Sequence, residues 1–169
     1  SSEAGTLNRL VSKGLVQASG FTPSDAMHVL GLQDNWIGDA AKLAAKVFAK
    51  SKDKMGNAIA QSPEILAEQV KNQLTRQSCD YILETCMVED GTSIGPGAAS
   101  LISRALDRQA GFAKLQVSLD RPLAGLGASA GTYYPAIGER LSTECLVPEH
   151  ADVANAIGAV AGEVRVTKE

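Results

Sequence analysis

Hydrophobic positions along the first two thirds of the chain recur at helical spacing. Leu7, Leu10, Val11, Leu15 and Val16 predict a short helix over residues 6 to 17, with Gly14 interrupting the pattern. Thr22-Pro23-Ser24-Asp25 combines a hydroxyl cap, a proline at the first helical position and a carboxylate three residues after the cap. It opens a helix over 23 to 30, which Gly31 stops by taking a left-handed conformation. From Trp36 to about Lys52, Ile37, Ala40, Ala41, Ala44, Val47 and Phe48 form one apolar stripe, with Lys42, Lys46 and Lys50 on the solvated side. Residues 51 to 57 are polar and read as a connection. Ser62-Pro63-Glu64 then repeats the cap, and Leu66, Val70 and Leu74 lead to Tyr81, Ile82 and Cys86 along a helix of about 23 residues. Residues 89 to 97 read as a loop and 99 to 106 as a further short helix.

Beyond residue 107 the texture changes. Gly111 to Gly131 is light in charge, and Pro122-Leu123-Ala124 predicts a buried strand running into the turn around Gly125, Gly127 and Gly131. A helix from about Thr132 to Leu141, a strand over Glu144 to Val147, an Ala-rich helix over Ala151 to Ala161 and a last strand over Val164 to Thr167 complete the pattern. Strand, helix, strand, helix, strand is the order of an α/β layer with parallel pairing. The expected organisation is a helical subdomain over 1–107 and an α/β part over 108–169, an α-rich α/β chain.

The composition narrows the function classes. At 169 residues with 44% apolar and 21% charged positions, the chain is long enough for a real core and is not disordered by composition. Aromatics at 4% beside abundant Ala and Gly favour packed helices over a β-sandwich. A net charge of -3 leaves no excess of Lys and Arg for a nucleic-acid backbone. No apolar run reaches a membrane span, so neither nucleic acid nor membrane is expected as a partner. Cys79, Cys86 and Cys145 form no C-x-x-C pair, which argues against zinc and a disulfide framework and for a reducing cytoplasm. The opening Ser1-Ser2-Glu3 lacks Met and leads almost at once into regular structure, so a piece of a longer protein is expected.

The segment with most chemical content is Leu123-Ala124-Gly125-Leu126-Gly127-Ala128-Ser129-Ala130-Gly131. Glycines let a backbone approach a planar or anionic ligand closely, and the N-H groups of a following helix face negative charge. The same residues equally suit a tight strand-to-helix turn. No Lys follows the glycines, so this is not a phosphate loop of the G-x-x-x-x-G-K-[ST] kind. Gly125, Gly127 and Ala130 fit the three places of a dinucleotide fingerprint, but Glu144 and Glu149 fall imperfectly for its acidic residue.

Two stretches resemble the hydantoinase/oxoprolinase family. One runs from Gly125 through Thr132-Tyr133-Tyr134-Pro135-Ala136-Ile137-Gly138-Glu139-Arg140-Leu141 and on from Cys145-Leu146-Val147-Pro148-Glu149-His150-Ala151-Asp152 to Ala159. The other is Phe21-Thr22-Pro23-Ser24-Asp25-Ala26-Met27-His28-Val29-Leu30-Gly31, similar to that family's T-P-[TS]-D-A-x-H-V-L-G stretch. The resemblance implies the C-terminal section of an actin-like ATPase (ribonuclease H-like) fold with a helical subdomain. Such proteins use ATP with Mg2+ to open a cyclic amide or to carboxylate acetone, usually beside a second large subunit. By position, Gly125, Gly127, Ala128 and Ser129 would border the adenosine. Relatives often carry Pro where this chain has Ser129.

The D-x-G-G-T hairpins that hold triphosphate and metal in such ATPases are missing from the sequence. Asp90-Gly91-Thr92-Ser93 has one glycine too few and follows a helix, so it reads as a loop. The expected partners are the N-terminal remainder of the parent chain and a second large subunit. The parent would be an ATP-dependent cyclic amide hydrolase, with this chain inactive by itself and no catalytic residue assigned. The alternative is a non-catalytic domain that docks on the rest of its chain or on a partner. His28 reads as a structural hydrogen-bonding histidine, His150 as a surface cap, and Cys79 and Cys86 as small buried hydrophobes. Trp36 reads as a core anchor, and Lys42, Lys46, Lys50, Lys52 and Lys54 as a solvated face.

Overall fold

A computed structural model describes residues 2–17 and 19–162. Seven α-helices, a 3-10 turn over Ala151–Val153 and one two-stranded parallel sheet make up its regular structure, so the chain is an α-rich α/β protein over the described residues. The helices and strands are α1 (Ser2–Ser12), α2 (Pro23–Val29), α3 (Gly38–Lys50), α4 (Pro63–Glu89), α5 (Pro96–Leu106), β1 (Leu123–Ala124), α6 (Ala130–Arg140), β2 (Cys145–Leu146) and α7 (Ala154–Ala161). The strand expected over Val164 to Thr167 lies outside the described residues. No described helix is long and apolar enough to cross a membrane.

Packing divides the chain into two compact units, one up to Val70 and one from Lys71 onward, so the boundary falls inside α4 and not near residue 107. The reason is the second core. Cys79 and Leu83 of α4 and Leu106 of α5 share it with Ile137 and Leu141, so the α/β part cannot be separated from the helices before it.

In the first unit the expected capping box forms. The Thr22 hydroxyl accepts from the Asp25 N-H at 3.3 Å, and the Thr22 N-H donates back to Asp25 Oδ2 at 2.8 Å. Gly31, at φ 69°, ends α2 in a Schellman motif, its N-H donating to the His28 carbonyl and that of Leu32 to the Met27 carbonyl. Gly14 does the same for α1, so that helix stops at Ser12 and Leu15 and Val16 lie beyond it, exposed. On α3 the buried face is Ala41, Ala45 and Ala49, whereas Ile37, Ala40 and Val47 of the expected stripe are exposed. A row of alanines at four-residue spacing lets α2 approach closely, which rotates the larger side chains outward. Trp36 is 66% exposed and is no core anchor; its ring lies 5.9 Å from that of His28. Ala45, Ala49, Ala60 and Leu66 form the core here, with Phe21 and Phe48 at 6.3 Å. The polar connection is ordered by Asp53, whose Oδ1 accepts from the N-H groups of Met55 and Asn57.

In the second unit α4 ends at a third Schellman motif on Gly91, with the Thr92 N-H on the Met87 carbonyl at 2.8 Å. Asp90-Gly91-Thr92-Ser93 is thus a helix terminus. Pro96 starts α5 earlier than expected, since a proline at the first position needs no helical donor. Arg76 of α4 pairs with Asp80 and, at 2.8 Å, with Asp107, and donates to Ser103 Oγ at 3.0 Å. Leu106, Leu141 and Cys79 are fully buried, each leucine contributing about 1.5–3 kcal/mol by its removal from water.

Candidate functional site

The Gly-rich turn is built on the β1–α6–β2 unit. Leu123 pairs with Cys145 and Ala124 with Leu146 in parallel register. Leu123 is half-buried and Ala124 exposed, so β1 is not the fully buried strand its composition predicts; two residues are too few to be covered on both faces. The turn joins the C-terminal end of β1 to the N-terminus of α6, the end of a parallel strand at which α/β folds place ligands.

Its hydrogen bonds knit two loops together. The Gly125 N-H donates to the Leu146 carbonyl at 2.8 Å and the Gly127 N-H to the Ala151 carbonyl at 2.7 Å. These two donors therefore hold the loop after β2 against the turn and are not aimed at a ligand. A Cβ at Gly125 would lie 3.0 Å from Tyr134 Cγ, so close packing on α6 accounts for that glycine. Gly127 sits at φ 111°, open only to glycine, and a Cβ there would meet open space. Ala128 is exposed and Ser129 half-buried; Ser129 stands at the N-cap of α6 without a side-chain capping bond, its carbonyl accepting from Thr132 and Tyr133. The Tyr133 hydroxyl is buried without a hydrogen-bond partner among the described residues. Pro135 lies inside α6 and has no N-H for the Gly131 carbonyl.

Gly125, Gly127, Ala128 and Ser129 thus share one turn, beside the exposed apolar side chains Leu126 and Val147. His150 follows on the linked loop, exposed, left-handed at φ 65° and making no side-chain cap. Sequence reasoning missed the Gly127–Ala151 bond that joins the loops. His28 lies in the other unit; it is 6% exposed and its Nε2 has no partner among the described residues, so the expected structural hydrogen bond is not made from that atom. Burial pushes the Cys79 and Cys145 thiols above the ordinary thiol range. Cys79 is fully buried and Cys86 half-buried. Among the described residues no three His, Cys, Asp or Glu side chains cluster as a metal site would require.

No known family, curated protein or solved structure matches the chain.

Proposed function

We propose that the chain is a section of an ATP-dependent cyclic amide hydrolase of the hydantoinase/oxoprolinase type, in an actin-like fold, and contributes the adenosine side of the nucleotide cleft. The observation that carries this reading is the turn from Gly125 to Ser129 at the C-terminal end of a parallel strand, with Gly127 presenting bare backbone to open space. It stands beside the family-like stretches through Thr132 to Leu141 and Phe21 to Gly31. Gly127 and Ala128 would lie against the nucleoside, and Ser129 would begin the helix behind it. The turn carries no Asp or Glu, so phosphates and Mg2+ would be held by parts of the protein that bear the D-x-G-G-T hairpins. The chain by itself is then inactive, and its expected partners are the remainder of its parent and a second large subunit in the cytoplasm.

Titration with Mg-ADP, followed by NMR of the whole described chain, tests the reading. Saturable shifts confined to residues 125–131 and 147–151 are the expected result. Unmoved resonances there at millimolar nucleotide would refute nucleotide binding by this chain.

A second reading, a docking domain without catalysis, is favoured by α7. That helix carries no polar side chain after Asn155 and buries none of its residues, with Val160 90% exposed. Such a surface suits burial against another part of a larger assembly. Self-association or aggregation relieved by Val160→Glu would support it.

A further inference from the structure

We infer that the second unit carries a binding site for a small phosphate-bearing anion, in a cleft between the C-terminal ends of α5 and α6. A cavity of about 270 Å³ there is lined by Arg108, Gln109, Lys114, Gln116, Arg140 and Ser142. An adjoining cavity of about 230 Å³ shares Arg108 and Arg140 and adds Lys71, Asn72, Thr75 and Glu139. The two therefore share a pair of arginines.

Charge makes this cleft unusual in a chain of net charge -3. Among the described residues Glu139 is the one carboxylate on either lining, and Arg108 Nη1 already engages it at 3.0 Å while Nη2 donates to the Glu139 carbonyl. Arg140 and Lys114 have no hydrogen-bond or ion-pair partner among the described residues. Neither is paired with a carboxylate among the described residues, and both line the cleft with a third cation whose guanidinium is held in place by its own ion pair; Arg140 also stands in the last turn of α6, where it offsets the negative end of that helix. Guanidinium forks match tetrahedral oxyanions, and the Gln109 and Gln116 amides offer further donors.

The backbone points to the same place. Among the described residues five helices end in the Schellman motif. Three of them use Gly14, Gly31 and Gly91 at the left-handed position. The two that line the cleft do not: α5 ends on Arg108 and α6 on Ser142, each at φ 49°. Their N-H groups and those of Gln109 and Thr143 make the usual bonds to the last turns. A side chain is unfavourable in that conformation, and strain of this kind is kept where the side chain itself is needed. Ser142 Oγ in turn accepts from Gln116 Nε2 at 3.1 Å, which fixes an amide on the cleft wall.

The size suits a metabolite-sized ligand and not a nucleic-acid strand. The site is also separate from the Gly-rich turn, which lies at the other end of α6, roughly 15 Å away along an eleven-residue helix. It does not depend on the nucleotide reading.

Inorganic phosphate and pyrophosphate, titrated at constant ionic strength into the whole chain and followed by NMR, test the proposal. Saturable shifts at Arg108, Gln109, Lys114, Arg140 and Ser142 are expected, with residues 125–131 unmoved. Lys114→Gln and Arg140→Gln should each weaken binding about tenfold, equivalent to about 1.4 kcal/mol. Arg108→Gly keeps the left-handed terminus in its most favourable form, so the protein stays folded while the affinity falls. Shifts that grow linearly without saturating, or a saturable site unchanged in all three variants, would overturn the proposal.

Discussion

Gly138 in the last turn of α6 sets two opposed effects against each other, and the structure says which one wins. In an exposed helix Gly→Ala stabilises by about 1 kcal/mol. At Gly138, however, a Cβ would stand 2.9 Å from Cys145 Cβ and 3.1 Å from the Thr143 carbonyl oxygen. Neither neighbour is free to retreat. The Thr143 N-H bonds back to the Gly138 carbonyl at 3.0 Å, the Thr143 hydroxyl donates to the Arg121 carbonyl at 2.8 Å, and the Leu123 N-H holds the Glu144 carbonyl at 2.9 Å. Relief requires moving β2 away from α6 or breaking the helix terminus. Overpacking of this kind costs about 1–3 kcal/mol, and loss of one of those bonds costs about 1 kcal/mol more. Against the propensity gain, Gly138→Ala should destabilise by about 1–3 kcal/mol. Gly131→Ala is the internal control: it lies on the same helix, and its Cβ would meet nothing within 4 Å. It should stabilise by up to about 1 kcal/mol. Urea unfolding followed on the methyl resonances of Leu106 and Leu141 reports the unit concerned, and an unchanged m-value would mark the shift in midpoint as a change in stability. If Gly138→Ala proves as stable as Gly131→Ala, the close approach of α6 and β2 described above is wrong.

Three further outcomes follow from local geometry. Thr22→Ala removes the side-chain acceptor of the capping box and should lower the stability of the first unit by about 1 kcal/mol, read from the urea midpoint of Phe21 and Phe48 resonances. Thr22→Ser should restore most of it, and equal stability of both variants with the parent would contradict the cap. Burial raises the Cys79 thiol, so the folded state keeps that proton to higher pH than the unfolded chain does. The stability linked to it is complete below the ordinary thiol range and is lost as pH rises through that range toward the folded value. Cys79→Ala should therefore flatten part of the alkaline fall in stability. In the parent chain, a thiol reagent at neutral pH should modify Cys86 well before Cys79; equal rates would refute the burial.

Much of the fold is legible in the residues because its signals are local. The Thr22-Pro23-Ser24-Asp25 cap, the stop at Gly31, the long helix after Ser62-Pro63-Glu64 and the strand-turn-helix order around Gly125 each depend on neighbours a few positions away. Capping, φ restrictions and periodicity act over that range. Gly14 shows the limit: its pattern reads as an interrupted helix, yet the hydrogen bonds from Gly14 and Leu15 make it a terminus. The turn at Gly125, Gly127, Ala128 and Ser129 was also visible as a unit. Its internal use of the Gly125 and Gly127 donors was not, because their acceptors, Leu146 and Ala151, lie more than twenty residues away.

Only the tertiary structure decided which surfaces are covered. Trp36, Ile37 and Val47 are as apolar as core residues, but the alanine row at Ala41, Ala45 and Ala49 gives the closer approach and leaves them outside. Likewise Arg108, Lys114 and Arg140 are unremarkable one by one in the chain, and no spacing rule connects them. They meet because α5 and α6 pack through Leu106 and Leu141 onto one core, which brings two helix ends together. Sequence alone determined the helices, the capped start and glycine stop of α2 and the Gly-rich turn, since those follow from short-range sterics and hydrogen bonding. The location of the unit boundary and the assembly of the cationic cleft follow from long-range packing, whose outcome depends on the shapes of all the contacting side chains together.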